Sequence, residues 1–337
     1  MRETINMESS RENDEIIQQP SLFSLSCESG KFSPHIHTEE ASAIRFPCKE
    51  NGRRNTITCK DENLDEFLTE IGTLDMNTAH MQGADFPFAE QIPVIPRSFF
   101  GSPPTLVSQE MVGISLSDIF VNGPLELRDG QYRVCKNLKI NTDVLRNPVF
   151  RNKKVILMSD ARDTLLEHLW WDRDDFKLFE TLAGIGFYAV TTPNFSLFKG
   201  ECPIGHAWNI KKGLICGVEL EKLGVTVIPH IYAVHQRQLE RWHDWLQKHP
   251  SVKNIAMNCQ LQRKSIIGRN IAVAALQYLL VNTDVHILLN GSDKRILVRL
   301  KEFKERLHTA SSGVFKNMEI LKSPQLVVSE NFSRVVM

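Results

Sequence analysis

Five apolar runs in this chain end in side chains that can exchange protons or hydrogen bonds. "KKVILMSD" leads to Asp160 and Asp163, and "AVTTPNFSLF" supplies Thr191, Thr192, Asn194 and Ser196. "VTVIPHIYA" delivers His230, Tyr232 and His235, "KNIAMNC" delivers Asn258 and Gln260, and "DVHILLNG" ends in Asn290 and Ser292. A carboxylate at such a position can orient a substrate or take a proton, and an imidazole can act as its acid/base partner. Asp160, Asp163 and His230 are therefore the candidate catalytic residues. Thr192, Asn194, Ser196, Asn209, His235, Asn258, Gln260 and Asn290 are the candidates for holding polar substrate atoms. Each has a plainer reading. Asp160 or Asp163 can cap the helix that begins in "SDARDTLLEHL", Asn194 can form an Asx turn after Pro193, and His230 can be a buried histidine with a satisfied hydrogen bond.

Anion binding is the second chemistry to test. "LQRKSIIGRN" sets Arg263, Lys264 and Arg269 around a helix start, and "NGSDKR" places Lys294 at another, where free amides and cations suit a phosphate. Arg263 and Arg269 join the substrate-binding candidates on this ground. "FKGECPIGHAWNIKKG" at 198–213 carries His206, Trp208, Asn209, Lys211 and Lys212 and reads as a loop long enough to be a lid. Trp208 is either a stacking surface there or ordinary core.

Several chemistries lack their signature. No GxGxxG follows a strand, and there is no GxxxxGK[ST], no HExxH and no GxSxG. Cys27, His35, His37, Cys48 and Cys59 could ligate a structural zinc, but their spacing fits no tight knuckle. Asp160, His230 and His235 are a ligand set a divalent ion accepts, though a metal-free pocket is the preferred reading. The sequence names no cofactor.

The elements that must position these residues alternate. Strands at 153–160, 187–193, 225–233, 253–259 and 284–291 are separated by the helical stretches "TLLEHLWWDRDDFKLFETLAGIG", "LICGVELEKLG", "HQRQLERWHDWLQKH" and "IIGRNIAVAALQYLLVN". "KRILVRLKEFKERLH" reads as a further helix. Strands apolar on both faces and about 30–35 residues apart predict a parallel sheet covered by helices. "MVGISL" at 111–116, "QYRVCKNLKI" at 131–140 and the terminal runs "KNMEIL" and "QLVVSEN" are weaker strands. The expectation is an α/β fold, a parallel (β/α) barrel irregular on its N-terminal side. Ligands of such folds bind beyond the carboxyl ends of the strands, where the polar residues named above fall.

Residues 1–90, rich in Ser, Glu, Asn and Thr, read as an N-terminal extension of low order or weak helicity. The four prolines of "QIPVIPRSFFGSPPTLV" predict an extended strap, so the barrel domain is expected over 91–337. Forty basic residues balance forty acidic ones, which removes any global argument for nucleic acid or an anionic membrane and requires such a patch to be local. Seven scattered cysteines, no CxxC pair, no apolar leader and no run near membrane-spanning length predict a soluble cytoplasmic protein without a membrane partner.

"TTPNFSLF" followed by "HAWNIKKGLICGVELEKLGVTVIPHIYAV" resembles an uncharacterised domain family of bacteria, phages and plasmids over residues 153–295. Its members carry a Pro-Asp-Phe-Ser-like motif, an Asn-rich helix start and a strand of the form G-x-x-V-I-P. Asn194 stands where the family has Asp. The resemblance implies a mobile-element or host-defence setting and no particular reaction. The residues favour a hydrolase or group transferase acting on a polar phosphorylated or nucleoside-like ligand. The alternative is a non-catalytic module binding nucleic acid or a protein through 199–213 and 262–270.

Overall fold

The computed structural model describes residues 75–121, 139–197, 203–234, 236–291 and 293–315, with the short strands 44–47, 54–57, 127–128 and 131–132. Eight strands form the centre: β1 (Gln91–Pro93), β2 (Met111–Ser115), β3 (Lys154–Met158), β4 (Ala189–Thr191), β5 (Val227–Ile228), β6 (Asn254–Asn258), β7 (His286–Asn290) and β8 (Leu307–Ser311). β2 to β5 form one parallel ladder and β6, β7, β8, β1 another. Parallel bridges between Val94 and Gly113 and between His230 and Ala256 join the two, so the ring closes. The chain is a closed parallel α/β barrel.

Helices cover the outside: α1 (Leu116–Ile119), α2 (Asp163–Trp171), α3 (Leu178–Ile185), α4 (Pro203–Lys222), α5 (Gln236–Lys248), α6 (Ile266–Asn282) and α7 (Lys294–Arg299). β1 and β2 are joined by 3-10 turns rather than a helix, which gives the expected irregularity at the N-terminal side. On α5, Leu239, Trp242, Trp245 and Leu246 are buried on one face, as their helical spacing requires.

Period-two alternation sorts each strand into an outer and an inner row. Val155 and Leu157, Ile255 and Met257, and Ile287 and Leu289 pack under the helices. Ile156 and Met158, Ala256, Leu288, Ile228 and Ala310 fill the barrel interior, with Ile92, Met111 and Ala189. Small alanines beside Ile, Leu and Met leave room for the larger side chains in the same layer. At the amino ends of the strands the same inner rows carry Asn254, His286 and His308. Asn254 donates to the Phe86 carbonyl at 2.7 Å, His286 and His308 meet ring to ring at 3.1 Å, and His308 Nδ1 lies 3.2 Å from the Ala89 carbonyl.

Several expectations change. The helical stretch after β3 is two helices, broken at Lys177, which adopts a left-handed φ of 50°. The proline-rich strap contains a barrel strand: Pro93 ends β1, where a missing N–H is tolerated. The reading of "KRILVRLKEFKERLH" as one helix fails, because α7 ends at Arg299 and a 3-10 segment with Phe303 at φ −106° leads into β8. Helix α4 starts at Pro203, eleven residues before the "LICGVELEKLG" stretch, so the expected lid at 198–213 is for the most part a helix. Of "QYRVCKNLKI", Gln131–Tyr132 pair antiparallel with Leu127–Arg128 and Ile140 bridges Phe120, outside the barrel. "KNMEIL" and "QLVVSEN" lie outside the described residues, as does most of 1–90. Met76, Met81, Ala84 and Phe88, within 75–90, are buried.

Candidate functional site at the carboxyl mouth of the barrel

Continuing each inner row by two residues reaches the mouth. Ile156 and Met158 are followed by Asp160, Ile228 by His230, Ala256 by Asn258 and Leu288 by Asn290. Four strands thus aim four polar side chains at one point, and the loop after β4 adds Asn194. Asp160 Oδ1 accepts Nδ2–H bonds from Asn194 at 3.0 Å and Asn258 at 2.7 Å, while Oδ2 accepts one from Asn290 at 2.7 Å. His230 Nε2 stands 3.4 Å from Asp160 Oδ1. The register of β6 on β7 pairs Asn258 with Asn290, which sets both amides at one height around the carboxylate.

The histidine is held in a defined orientation. Its Nδ1 lies 3.1 Å from the Thr192 carbonyl, and its backbone N–H donates to Thr192 Oγ1 at 2.8 Å. A carbonyl only accepts, so Nδ1 is assigned the proton and Nε2 is the nitrogen turned to Asp160. Nε2 is buried and forms no hydrogen bond among the described residues. The imidazole side chain is fully buried and the Asp160 side chain is 5 % exposed. A carboxylate so enclosed needs the donors it has.

The motif "TTPNFSLF" builds one wall. Thr191 Oγ1 accepts from the Ser159 N–H at 2.7 Å, tying β4 to the end of β3. Ser196 Oγ donates to Asp163 Oδ1 at 2.6 Å, Asn209 Nδ2 donates to the Ser196 carbonyl at 2.8 Å, and Tyr232 Oη donates to the Asn209 carbonyl at 3.0 Å. Burial raises the Tyr232 phenol well above its ordinary range, which keeps it the donor. Beneath the loop, Lys212 Nζ bonds both Glu167 oxygens at 2.9 and 2.7 Å and lies 4.2 Å from the centre of the Phe195 ring. Gly217 lets α4 approach this wall: a Cβ there would stand 2.8 Å from Thr192 Cγ2. Across the mouth, Gly291 has φ +72°, and a Cβ on it would meet Gln260 Cγ at 2.2 Å.

The plainer readings separate accordingly. Asp160 does not cap α2, whose N-cap is Arg162, and Asn194 directs its amide to Asp160. Asp163 lies in the first turn of α2 and holds Ser196. Thr192 acts through its carbonyl and hydroxyl on His230. Gln260 is exposed, and its N–H donates to Asn258 Oδ1 at 2.8 Å. Arg263 and Arg269 lie on the rim, half-buried, with Arg269 Nη1 bonded to the Arg263 carbonyl at 2.8 Å; no hydrogen bond joins either to Asp160. His235 and Ser292 lie outside the described residues, as do Cys27, His35, His37, Cys48 and Cys59.

The lid reading of 198–213 is corrected in its side chains too. Trp208 is buried and meets Trp170 edge-on, so it offers no stacking surface. Lys211 is buried, donates to the Asp75 carbonyl at 2.6 Å and contacts Thr78 Oγ1. Burial lowers the pKa of its ammonium. With Lys212 bound to Glu167, the two lysines offer no basic surface for nucleic acid. Sequence reasoning missed Glu167, although it falls one helical turn after Asp163 on the same face of α2. Among the described residues, no group of three or more His, Cys, Asp or Glu side chains is placed to hold a metal ion.

Fold and site together define an α/β-barrel protein with a buried carboxylate, three amides and an imidazole at its carboxyl mouth. No family model matches the chain, and no curated protein matches it. Among solved structures, a putative phosphonomutase from Burkholderia cenocepacia J2315 is 12 % identical with a TM-score of 0.39, over 76 % of this chain and 98 % of that one. A glycerol uptake operon antiterminator-related protein from Thermotoga maritima MSB8 is 12 % identical with a TM-score of 0.31, over 66 % and 94 %. No described helix is long and apolar enough to cross a membrane.

Proposed function

We propose that this chain is an α/β-barrel enzyme, a hydrolase or group transferase, acting on a small polar phosphorylated or nucleoside-like ligand at the carboxyl mouth. His230 is the acid/base group, Asp160 its carboxylate partner, and Asn194, Asn258 and Asn290 hold that carboxylate in place. The contact that carries the reading is His230 Nε2 to Asp160 Oδ1 at 3.4 Å. With Nδ1 donating to Thr192, Nε2 presents its lone pair beside Oδ1, and a ligand hydroxyl or amine reaching this point can pass a proton to it. Turns and helix caps need no such arrangement. Arg263 and Arg269, on the rim, supply positive charge for a phosphoryl group. Asp163 acts indirectly, by fixing Ser196 and with it the loop that carries Asn194. A mobile-element or host-defence role, implied by the family resemblance, is part of the proposal.

The test is a panel of phosphate monoesters, nucleosides and nucleotides, screened by thermal shift and then by product analysis. A ligand that raises Tm should be turned over by the parent protein and at least about a hundredfold more slowly by His230→Gln, the usual weight of one acid/base group. Circular dichroism melts of the variant verify the fold. Equal turnover by a folded His230→Gln protein would refute the assignment.

A further inference from the structure

The 3-10 turn after β6, Gln262–Lys264, and the first turn of α6 form one edge of the mouth. They are in close contact: a Cβ on Gly268 would meet the Gln262 carbonyl oxygen at 2.4 Å, and Arg269 bonds the Arg263 carbonyl. On this edge Leu261 is 71 % exposed, Ile266 69 % and Ile267 58 %, and on neighbouring α7 Val298 is 68 % exposed. Arg299, next to Val298, bonds Asn270 Oδ1 at 2.6 Å and ties the two helices together. Large aliphatic side chains this exposed, on elements in contact with one another, are unusual on a free surface.

Their charged surroundings are predominantly basic. Residues 261–270 contain Arg263, Lys264 and Arg269 and no acid; on α7 and just beyond it stand Lys294, Arg299 and Lys301, while Arg295 is paired with the N-cap Asp293 at 2.8 Å. A partner must therefore be anionic and must also offer apolar depth. A second copy of the same patch is disfavoured by like charge. Single-stranded nucleic acid binds through aromatic stacking, and neither stretch contains an aromatic residue. An anionic bilayer surface meets both demands, with headgroups opposite the cations and the aliphatic tips at the acyl boundary. Overall neutrality does not oppose this, because the charge is local.

We propose that the Leu261–Asn270 edge, extended by α7, is an interfacial contact for anionic membranes that presents the barrel mouth to the bilayer. The proposal does not require the reaction at Asp160 and His230, although it shares Arg263 and Arg269 with the proposed phosphoryl contact; the Ile266 and Ile267 variants leave both arginines in place. Its test is sedimentation of the full chain with vesicles of phosphatidylcholine alone or mixed with phosphatidylglycerol. Binding should require the anionic lipid, weaken with salt, and fall at least about tenfold in Ile266→Glu/Ile267→Glu. The serine pair at the same exposed positions, which adds no charge, should lose a smaller part and keeps the test valid if the glutamate pair folds poorly. Absence of binding to anionic vesicles, or undiminished binding by folded variants, would overturn the proposal. So would Lys264-dependent binding of single-stranded DNA by a protein that ignores vesicles.

Discussion

Replacing Asp160 by alanine removes the one acceptor shared by three amide donors from three strand ends. A hydrogen bond to a charged group contributes about 1.5–3 kcal/mol, so three independent losses would reach roughly 5–9 kcal/mol. They are not independent. All three converge on one carboxylate, and Asn194 and Asn258 are partly exposed, so water replaces much of what they lose. Asn290 is buried and bears the larger penalty. The expected destabilisation is about 3–4 kcal/mol. Asp160→Asn should cost less, about 1–2 kcal/mol. Its carbonyl can still accept from Asn194 and Asn258, and the donor clash it creates at Asn290, 2.7 Å away, is relieved when Asn290 turns its amide. Exchanging the pair, Asp160→Asn with Asn290→Asp, restores a carboxylate facing an amide and should recover about 1 kcal/mol of the summed single losses. Urea unfolding followed by the fluorescence of buried Trp208, Trp242 and Trp245 measures all four proteins. If Asp160→Ala unfolds within about 0.5 kcal/mol of the parent, the carboxylate is solvated and the reasoning fails.

Two further outcomes follow from buried charge elsewhere. Lys212→Met leaves Glu167 without its cation beneath the motif loop and should cost about 3–5 kcal/mol, whereas Lys212→Met/Glu167→Leu should recover most of it. Denaturation midpoints of both variants decide this, and equal losses would contradict it. At the opposite end of the barrel, burial and the His286 ring 3.1 Å away lower His308 from 6.5 to about 4. The unfolded chain then takes up the proton first. Stability contributed by neutral His308 is present above about pH 6.5, declines as the pH falls toward 4, and amounts to about 2 kcal/mol after discounting for solvent screening. Chemical denaturation between pH 7 and 4 should show this slope, and His308→Gln should flatten it.

The sequence alone determined the alternation of apolar strands and amphipathic helices, and with it the parallel α/β barrel, because burial on both faces of a strand leaves few other folds. It also placed Asp160, Asn194, His230, Asn258 and Asn290 at strand ends, since a change from apolar to polar within one run is a local signal. Closure was decided by tertiary structure. Gln91–Pro93, read as part of a strap, and Leu307–Ser311, whose first residues read as the end of a helix, become barrel strands because neighbouring ladders supply their hydrogen bonds. Which strand-end groups meet was likewise not legible: it depends on the β6–β7 register and on Asp160 lying two residues beyond Met158 in the inner row. The lysines at 211 and 212 show the limit from the other side. Two adjacent cations read as part of a basic, lid-like loop, and only the fold, by bringing Glu167, Asp75 and Phe195 from distant segments, could make their burial stable.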